Sequence, residues 1–378
     1  MLDNVPFMIM IAITFLVGGI IAFAASPLVR KFAHIVGAID VPRDARRVHK
    51  TPIPRLGGLA IFLGFLAAVL LFARIDDAMR GILLGATVII ALGVIDDIIN
   101  LPAWIKFIVQ IVAALIPVLH GVTIEFLSNP IFFNRAPEIN LGFLSAPLTV
   151  LWIVLITNSV NLIDGLDGLA VGVSAISSIS LLIISIVLQE PNVPLIVAAL
   201  AGACIGFMPY NFNPAKMFMG DTGATFLGFM LATISVTGLF KFYTVISFAV
   251  PLLILALPIF DTISSIIRRL LRGKSPMSPD RGHVHHRLID MGFSQKQSVV
   301  ILYALSSVLA FAAVVLSTAI ELKGIIFIIA VIVAIAISVR LFGRKKPPGN
   351  GANGANGGNG GDDPTITKTE NDSNENGG

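Results

Sequence analysis

Residues 81–97 read GILLGATVIIALGVIDD. Fifteen uncharged, mostly apolar residues, 81–95, end in two adjacent carboxylates, Asp96 and Asp97. A bilayer-spanning helix needs ~20 mostly apolar residues, and this run with its flanks comes close to that length. Comparable stretches recur at 7–28, 56–73, 104–119, 147–162, 168–188, 193–210, 222–240, 244–267, 298–319 and 324–342, which makes eleven. Composition agrees. Of 378 residues 56% are apolar, only 13% are charged, and mean hydropathy is +0.90. A soluble domain averages about 45–50% apolar and about 25% charged. These figures exclude a soluble enzyme, a disordered chain and a nucleic-acid-binding chain. The expected fold class is an all-α polytopic membrane protein with about eleven transmembrane helices. The single cysteine, Cys204, lies in an apolar run, reads as a small buried hydrophobe and offers neither a disulfide nor a thiolate metal site.

The basic residues set the expected sidedness. Segments 29–55 and 268–297 carry seven Lys or Arg each, and Arg340, Arg344, Lys345 and Lys346 follow the last span. An odd number of spans puts all three regions on one side. The N-terminus is therefore expected outside and the C-terminus in the cytoplasm. The first span has Asp3 before it and no Lys or Arg until Arg30, the reverse of a signal peptide. Residues 1–346 are expected to form one integral membrane domain. In 347–378, nine Gly and seven Asn fill half of 32 positions, so a disordered cytoplasmic tail is expected. Segment 121–146 mixes β-formers with turn residues and is read as a small external β-hairpin.

The 22 acids sort by side. Five are in the tail. Seven fall outside, among them every Glu of the membrane domain. Ten fall at the cytoplasmic face, and all ten are Asp: 40, 44, 96, 97, 164, 167, 221, 261, 280 and 290. Asp96 and Asp97 sit at a helix C-terminus, the end with partial negative charge, and repel each other unless a cation or a proton intervenes. In TNSVNLIDGLDGLA, 157–170, Asn158, Asn161, Asp164 and Asp167 recur every three residues. Each such step drifts ~60° on an ideal helix, so all four converge only if the helix breaks, which Gly165 and Gly168 permit. Polar groups this dense beside a membrane are costly without a ligand.

Three further clusters belong to the same face. In YNFNPAKMFMGDTGA, 210–224, Asp221 and Thr222 precede a span whose N-terminus favours anions, Gly220 and Gly223 leave room for a phosphate, Lys216 adds charge and Phe218 offers a ring. In the basic loop SPMSPDRGHVHHRLIDMG, 275–292, His283, His285 and His286 accompany Arg281 and Arg287. A zinc site there lacks Cys or paired acidic ligands; contact with a nucleotide diphosphate, or acid–base work, suits the flanking arginines better. Lys50 and Arg55 precede Gly57-Gly58 at another span start, again read as an anion site. No Walker-type or Rossmann glycine pattern occurs, so any nucleotide is bound by the membrane loops. Carboxylates for Mg²⁺, cations for phosphates and amides for a base or sugar together suit phosphoryl transfer.

These residues carry a resemblance. GVIDD (93–97), NSVNLIDGLDGLA (158–170), NFNPAKMFMGDTG (211–223), PIFDT (258–262) and RGHVHH (281–286) stand in order, and the chain resembles the polyprenyl-phosphate N-acetylhexosamine-1-phosphate transferase superfamily through most of 1–342. PRLGG at 54–58 and HVHH at 283–286 resemble its N-acetylglucosamine branch. That branch begins teichoic acid, O-antigen or similar envelope polysaccharides. The resemblance implies transfer of GlcNAc-1-phosphate from UDP-GlcNAc to undecaprenyl phosphate, giving undecaprenyl-diphospho-GlcNAc and UMP, in a bacterial cytoplasmic membrane with the site on the cytoplasmic face. Mg²⁺ is the implied cofactor, with Mn²⁺ able to replace it, and a homodimer is implied by related enzymes.

By motif, Asp221 is the implied direct Mg²⁺ ligand, with Asp97 beside it. Asp96 and Asp97 are implied near the lipid phosphate, as base or as covalent nucleophile. Asn158, Asn161, Asp164, Asp167 and Asn211 are implied on the uridine side, and Phe218 stacks on uracil. His283, His285, His286, Arg281, Lys50 and Lys216 are implied to hold the diphosphate or sugar or to assist proton transfer. Asp261 receives no role. The alternatives are the phospho-MurNAc-pentapeptide branch and, in another class, a secondary transporter.

Overall fold

The computed structural model describes residues 6–41, 51–128, 138–238, 246–273, 275 and 282–318. The expected span at 324–342, the tail, Lys50 and Arg281 lie outside the described residues. Among the described residues the chain forms α1 (Phe7–Val36), β1 (Ile39–Asp40), β2 (Ile53–Pro54), α2 (Gly57–Phe72), α3 (Asp77–Ile99), α4 (Ala103–Leu119), β3 (Phe126–Ser128), β4 (Glu138–Asn140), α5 (Ser145–Ile163), α6 (Leu169–Val187), α7 (Val193–Asn211), α8 (Gly220–Gly238), α9 (Ile246–Ile254), α10 (Ala256–Leu271), α11 (Val284–Asp290) and α12 (Gln295–Thr318). β1 pairs antiparallel with β2, and β3 with β4, so the hairpin expected within 121–146 is present.

Among the described residues six helices, α1, α3, α5, α6, α7 and α12, are long and apolar enough to cross a bilayer; α2 and α4 are apolar but shorter. The chain is a helical, multi-pass membrane protein. Its lipid signature is inverted burial. On α10, Ile263, Ile267 and Leu270 are exposed while Asp261, Thr262 and Ser265 are buried. A water-soluble helix would reverse this. α8 is buried all round from Thr222 to Val236. It touches protein rather than lipid, which is why it tolerates threonines and glycines. α7 packs on α1 through small residues: Gly202 leaves no room beside the Phe15 carbonyl, and Gly206 none beside that of Gly19. The buried Trp152 indole donates to Ser235 Oγ at 3.0 Å, tying α5 to α8.

The expected span at 244–267 is not one helix. It breaks at Leu255 between α9 and α10. Pro258 has no N–H to donate to the Ile254 carbonyl four residues earlier. Ser177 of α6 donates to that carbonyl instead, at 3.2 Å. A backbone group freed inside a membrane bundle thus finds a partner in a neighbouring helix.

Candidate active site

The end of α3 meets the start of α8. Asp97 Oδ1 accepts from the Asp221 backbone N–H at 3.0 Å, and Oδ2 accepts from Thr222 N–H at 3.0 Å and Thr222 Oγ1 at 2.7 Å. These are N–H groups that a helix start leaves unsatisfied, and a carboxylate there complements the macrodipole. Two expectations therefore change. The anion at the α8 N-terminus is Asp97 itself, not a phosphate. Gly220, in left-handed backbone at φ +73°, makes room for that carboxylate, because a Cβ there would lie 2.3 Å from Asp97 Oδ2. Asp96 turns to the other side. Its Oδ1 accepts from Leu101 N–H at 2.7 Å and its Oδ2 from Lys106 Nζ at 2.9 Å. Lys106 also donates to Asp221 Oδ2 at 2.9 Å, so one ammonium bridges two carboxylates.

The start of α2 is likewise not an anion site. The N–H groups of Gly57 and Gly58 donate to the carbonyls of Phe218 and Met219, both at 2.9 Å, and Phe218 N–H donates to Pro54 O at 2.8 Å. A Cβ on Gly58 would lie 2.0 Å from Gly223 N. These glycines dock α2 on the 218–223 segment, and the docking holds Phe218 at the site.

The helix break expected at 164–168 is real. α5 ends at Ile163, and Gly168, at φ +81°, begins α6. Asn211 clamps this turn: its Oδ1 accepts from Gly168 N–H at 3.1 Å, while its Nδ2 donates to Met217 O at 3.1 Å. Asp167 Oδ2 accepts from Asn213 Nδ2 and from Ala215 N–H, both at 3.0 Å. Asn213 also donates to Gln295 Oε1 at 2.9 Å, bringing in the start of α12.

α10 supplies the support for the histidine motif. Asp261 Oδ2 lies 2.7 Å from His283 Nδ1, and Oδ1 accepts from Val284 N–H at 2.8 Å. His283, His285 and His286 follow one another in contact: ring centroids are 5.6 Å apart for the first pair and 4.3 Å for the second. His285 is buried against Gly165. Burial, then the neighbouring His286, lowers its pKa to about 3, so the ring is neutral.

These ends enclose a cavity of about 320 Å³ lined by Asp40, Arg55, Asp97, Asn161, Asp164, Gly165, Leu166, Asp167, Asn211, Phe218, Met219, Gly220, Asp221, His286 and Gln295. They come from the ends of α3, α5 and α7, the starts of α8 and α12, the α5–α6 turn, β1, the approach to α2, the α7–α8 loop and α11, so the site lies at one end of the bundle. Five carboxylates face one guanidinium, and Arg55 Nη2 is itself donated to Asp40 Oδ1 at 2.8 Å. Burial, followed by the charges of Asp221 and Asp97, pushes the Asp164 carboxyl up to about 8. The site is short of positive charge.

A family model described as "Glycosyl transferase family 4" matches residues 79–239. A probable undecaprenyl-phosphate N-acetylglucosaminyl 1-phosphate transferase of Bacillus subtilis (strain 168) is 41% identical over 82% of this chain and 86% of its own length. The chain belongs to glycosyl transferase family 4. A decaprenyl-phosphate N-acetylglucosaminephosphotransferase of Mycolicibacterium smegmatis is 35% identical over 90% of each chain. An undecaprenyl-phosphate alpha-N-acetylglucosaminyl 1-phosphate transferase of Escherichia coli (strain K12) is 28% identical over 74% of this chain and 77% of its own.

In this family 4 chain, eight of the site residues singled out from sequence line one cavity: Asp97, Asn161, Asp164, Asp167, Asn211, Phe218, Asp221 and His286. Others stand apart from it. Asn158 stays on the unbroken part of α5 and donates to Gln110 Oε1 at 2.6 Å and Val154 O at 2.8 Å. Lys216 is exposed on the loop, and Asp96, His283 and His285 stand behind the cavity wall. Sequence reasoning gave no site role to Asp40, Gln295 or Lys106, and it read Arg55 with Lys50 as an anion site, where the structure pairs Arg55 with Asp40 at the cavity. A lone ammonium in the apolar run AWIKFIVQIVAAL was the available signal for Lys106. Nothing local marked Gln295.

Proposed function

We propose that this family 4 member transfers GlcNAc-1-phosphate from UDP-GlcNAc to undecaprenyl phosphate. An oxygen of the lipid phosphate attacks the β-phosphorus of the donor, the bond from that phosphorus to the α–β bridging oxygen breaks, and UMP leaves. The observation that carries the reading is the acidic, aromatic- and amide-lined cavity at one end of the bundle, joined to relatives named for this transfer. Phe218 stacks on uracil, and Asn161, Asp164, Asp167 and Asn211 surround the nucleoside. Arg55 and His286 meet the diphosphate; Lys50, Lys216 and Arg281 are assigned to the same phosphates by their motifs alone.

The donor set suits a hard divalent cation. Its ligands are oxygens, its negative charge is only partly met by Lys106 on Asp221 and Arg55 on Asp40, and Asp164 holds a proton where a cation would relieve it. Among the described residues no three His, Cys, Asp or Glu already form a complete cage. The proposed ion is Mg²⁺, or Mn²⁺ in its place, which would be held by one or two carboxylates, water and substrate phosphates. Asp221 is the proposed ligand, with Asp97 beside it; the ion when bound would neutralise charge on the diphosphate. Asp97 fixes the Asp221 backbone, and Asp96 holds Lys106 against Asp221.

Eleven apolar runs support eleven spans, and with that odd number the positive-inside pattern supports an external N-terminus and a site on the cytoplasmic face of a bacterial cytoplasmic membrane. A homodimer is proposed by analogy with related enzymes. Initiation of teichoic acid, O-antigen or a similar polymer is the matching physiological step. A transporter would place its polar groups near the midplane between repeats, and the cavity here lies at helix ends. The test is release of UMP from a panel of UDP-sugars by purified protein, with and without undecaprenyl phosphate. Lipid-dependent release from UDP-GlcNAc alone is expected. Release from UDP-MurNAc-pentapeptide instead would move the chain to the peptidoglycan branch, and no release with any donor would refute the transferase reading.

A further inference from the structure

The pair Asp261–His283 is the shortest polar contact between α10 and the histidine motif among the described residues, with Ser265 Oγ a further 3.4 Å from the same Nδ1. Asp261 is 1% exposed and His283 6%. α11, which carries His285 and His286, has no side-chain cap of its own: His283 occupies its N-cap position without bonding to the helix. Asp261 fills both gaps. One oxygen accepts the Val284 N–H, the first free donor of α11, and the other receives His283 Nδ1. Arg268 Nη2 donates to Ser265 Oγ at 2.7 Å one turn along α10, walling the same contact. From there contact passes His283 to His285 to His286, and only His286 reaches the cavity.

We propose that Asp261 and His283 are a positioning couple. Asp261 acts as the helix cap that α11 lacks, and through His283 it sets the register that aims His286 into the cavity. His283 on this account touches no substrate. The inference rests on the transferase reading above and deepens it. It is made without any charge requirement, because what matters is two hydrogen-bond contacts at fixed places. An Asn at 261 preserves them: its oxygen accepts from Val284 N–H and its NH₂ donates to Nδ1 of the other imidazole tautomer.

The experiment compares Asp261→Ala and Asp261→Asn in lipid-dependent UMP release from UDP-GlcNAc, each alone and in a His286→Ala background. Asp261→Ala is expected to lower kcat roughly ten- to hundred-fold, as loss of a supporting partner does. Its KM for UDP-GlcNAc stays within about twofold, because the uridine contacts are untouched. Asp261→Asn retains most of the activity. In the His286→Ala background the Asp261→Ala loss largely disappears, since the couple acts through His286. Loss in Asp261→Asn equal to that in Asp261→Ala would overturn the proposal, as would a loss undiminished without His286. His283 gives the same decision independently of whether Asp261→Ala folds. His283→Asn keeps a donor for Asp261 and should outperform His283→Ala severalfold; equal inactivity of the two would show that His283 itself reacts. Inactive wild-type protein, by contrast, would sink the transferase reading.

Discussion

Gly220→Ala tests whether the α3–α8 junction is built around Asp97. Gly220 sits at φ +73°, where an L side chain costs about 1–2 kcal/mol. The new Cβ would stand 2.3 Å from Asp97 Oδ2. Normal contact requires the carboxylate to retreat by roughly 1 Å. That oxygen accepts from Thr222 N–H at 3.0 Å and Thr222 Oγ1 at 2.7 Å. Losing one such bond to a charged group costs about 1.5–3 kcal/mol. The sum is roughly 2.5–5 kcal/mol, and a 1 Å displacement of a site carboxylate is expected to cost about a hundredfold in kcat. Gly228→Ala is the control. Its Cβ would lie 2.6 Å from Thr157 Cα, a helix–helix contact without a carboxylate. Thermal unfolding in detergent, read by size-exclusion of heated samples, should fall for both variants. UMP release per folded molecule should fall for Gly220→Ala alone. Wild-type turnover and an unchanged midpoint in Gly220→Ala would refute the account of this junction.

Asp221→Asn should cut transfer by orders of magnitude in Mg²⁺-supplemented enzyme while the protein still elutes as a folded species; near-wild-type turnover would remove Asp221 from the metal assignment. His285 should make the fold acid-sensitive. Its folded pKa, about 3, lies below the ordinary value of about 6.5, so between the two only the unfolded chain binds the proton. Stability is intact above pH ~6.5 and falls by up to about 1.4 kcal/mol per unit below it. Midpoints at pH 7.5 and 5.0 check this, and an equal drop in His285→Gln would assign the sensitivity to other groups. Ser177→Ala strands the Ile254 carbonyl and should cost about 1–2 kcal/mol with kcat unchanged; a midpoint equal to wild type would mean the carbonyl finds another donor.

Among the described residues, six of the eleven apolar runs are helices long and apolar enough to span, and these were legible because lipid imposes a length and a composition that apolar runs display directly. α8 is the instructive exception. Its threonines and glycines make it one of the less apolar helices, and it is the most enclosed, since its neighbours are other helices. The break after Ile163 was legible from Gly165 and Gly168, and it brings Asn161, Asp164 and Asp167 to one cavity. Asn158 lies one helical turn before the break and so keeps a helix-side partner, Gln110.

What could not be read locally was which group satisfies a helix end. From sequence, the starts of α2 and α8 each offer bare N–H groups and glycines, the pattern of a phosphate cradle. In the fold both are already filled, one by the carbonyls of Phe218 and Met219 and the other by Asp97, 124 residues before the Asp221 N–H it accepts. The same glycines that admit a phosphate in one fold admit a backbone or a carboxylate in another. Position 220 shows how the two cases separate. A glycine that spares a ligand tolerates a methyl in the empty protein and fails on binding; one that spares Asp97 fails already in the folded chain. The left-handed backbone alone costs about 1–2 kcal/mol, so a stability loss of the ligand-free Gly220→Ala protein well beyond that distinguishes two readings that sequence alone leaves identical.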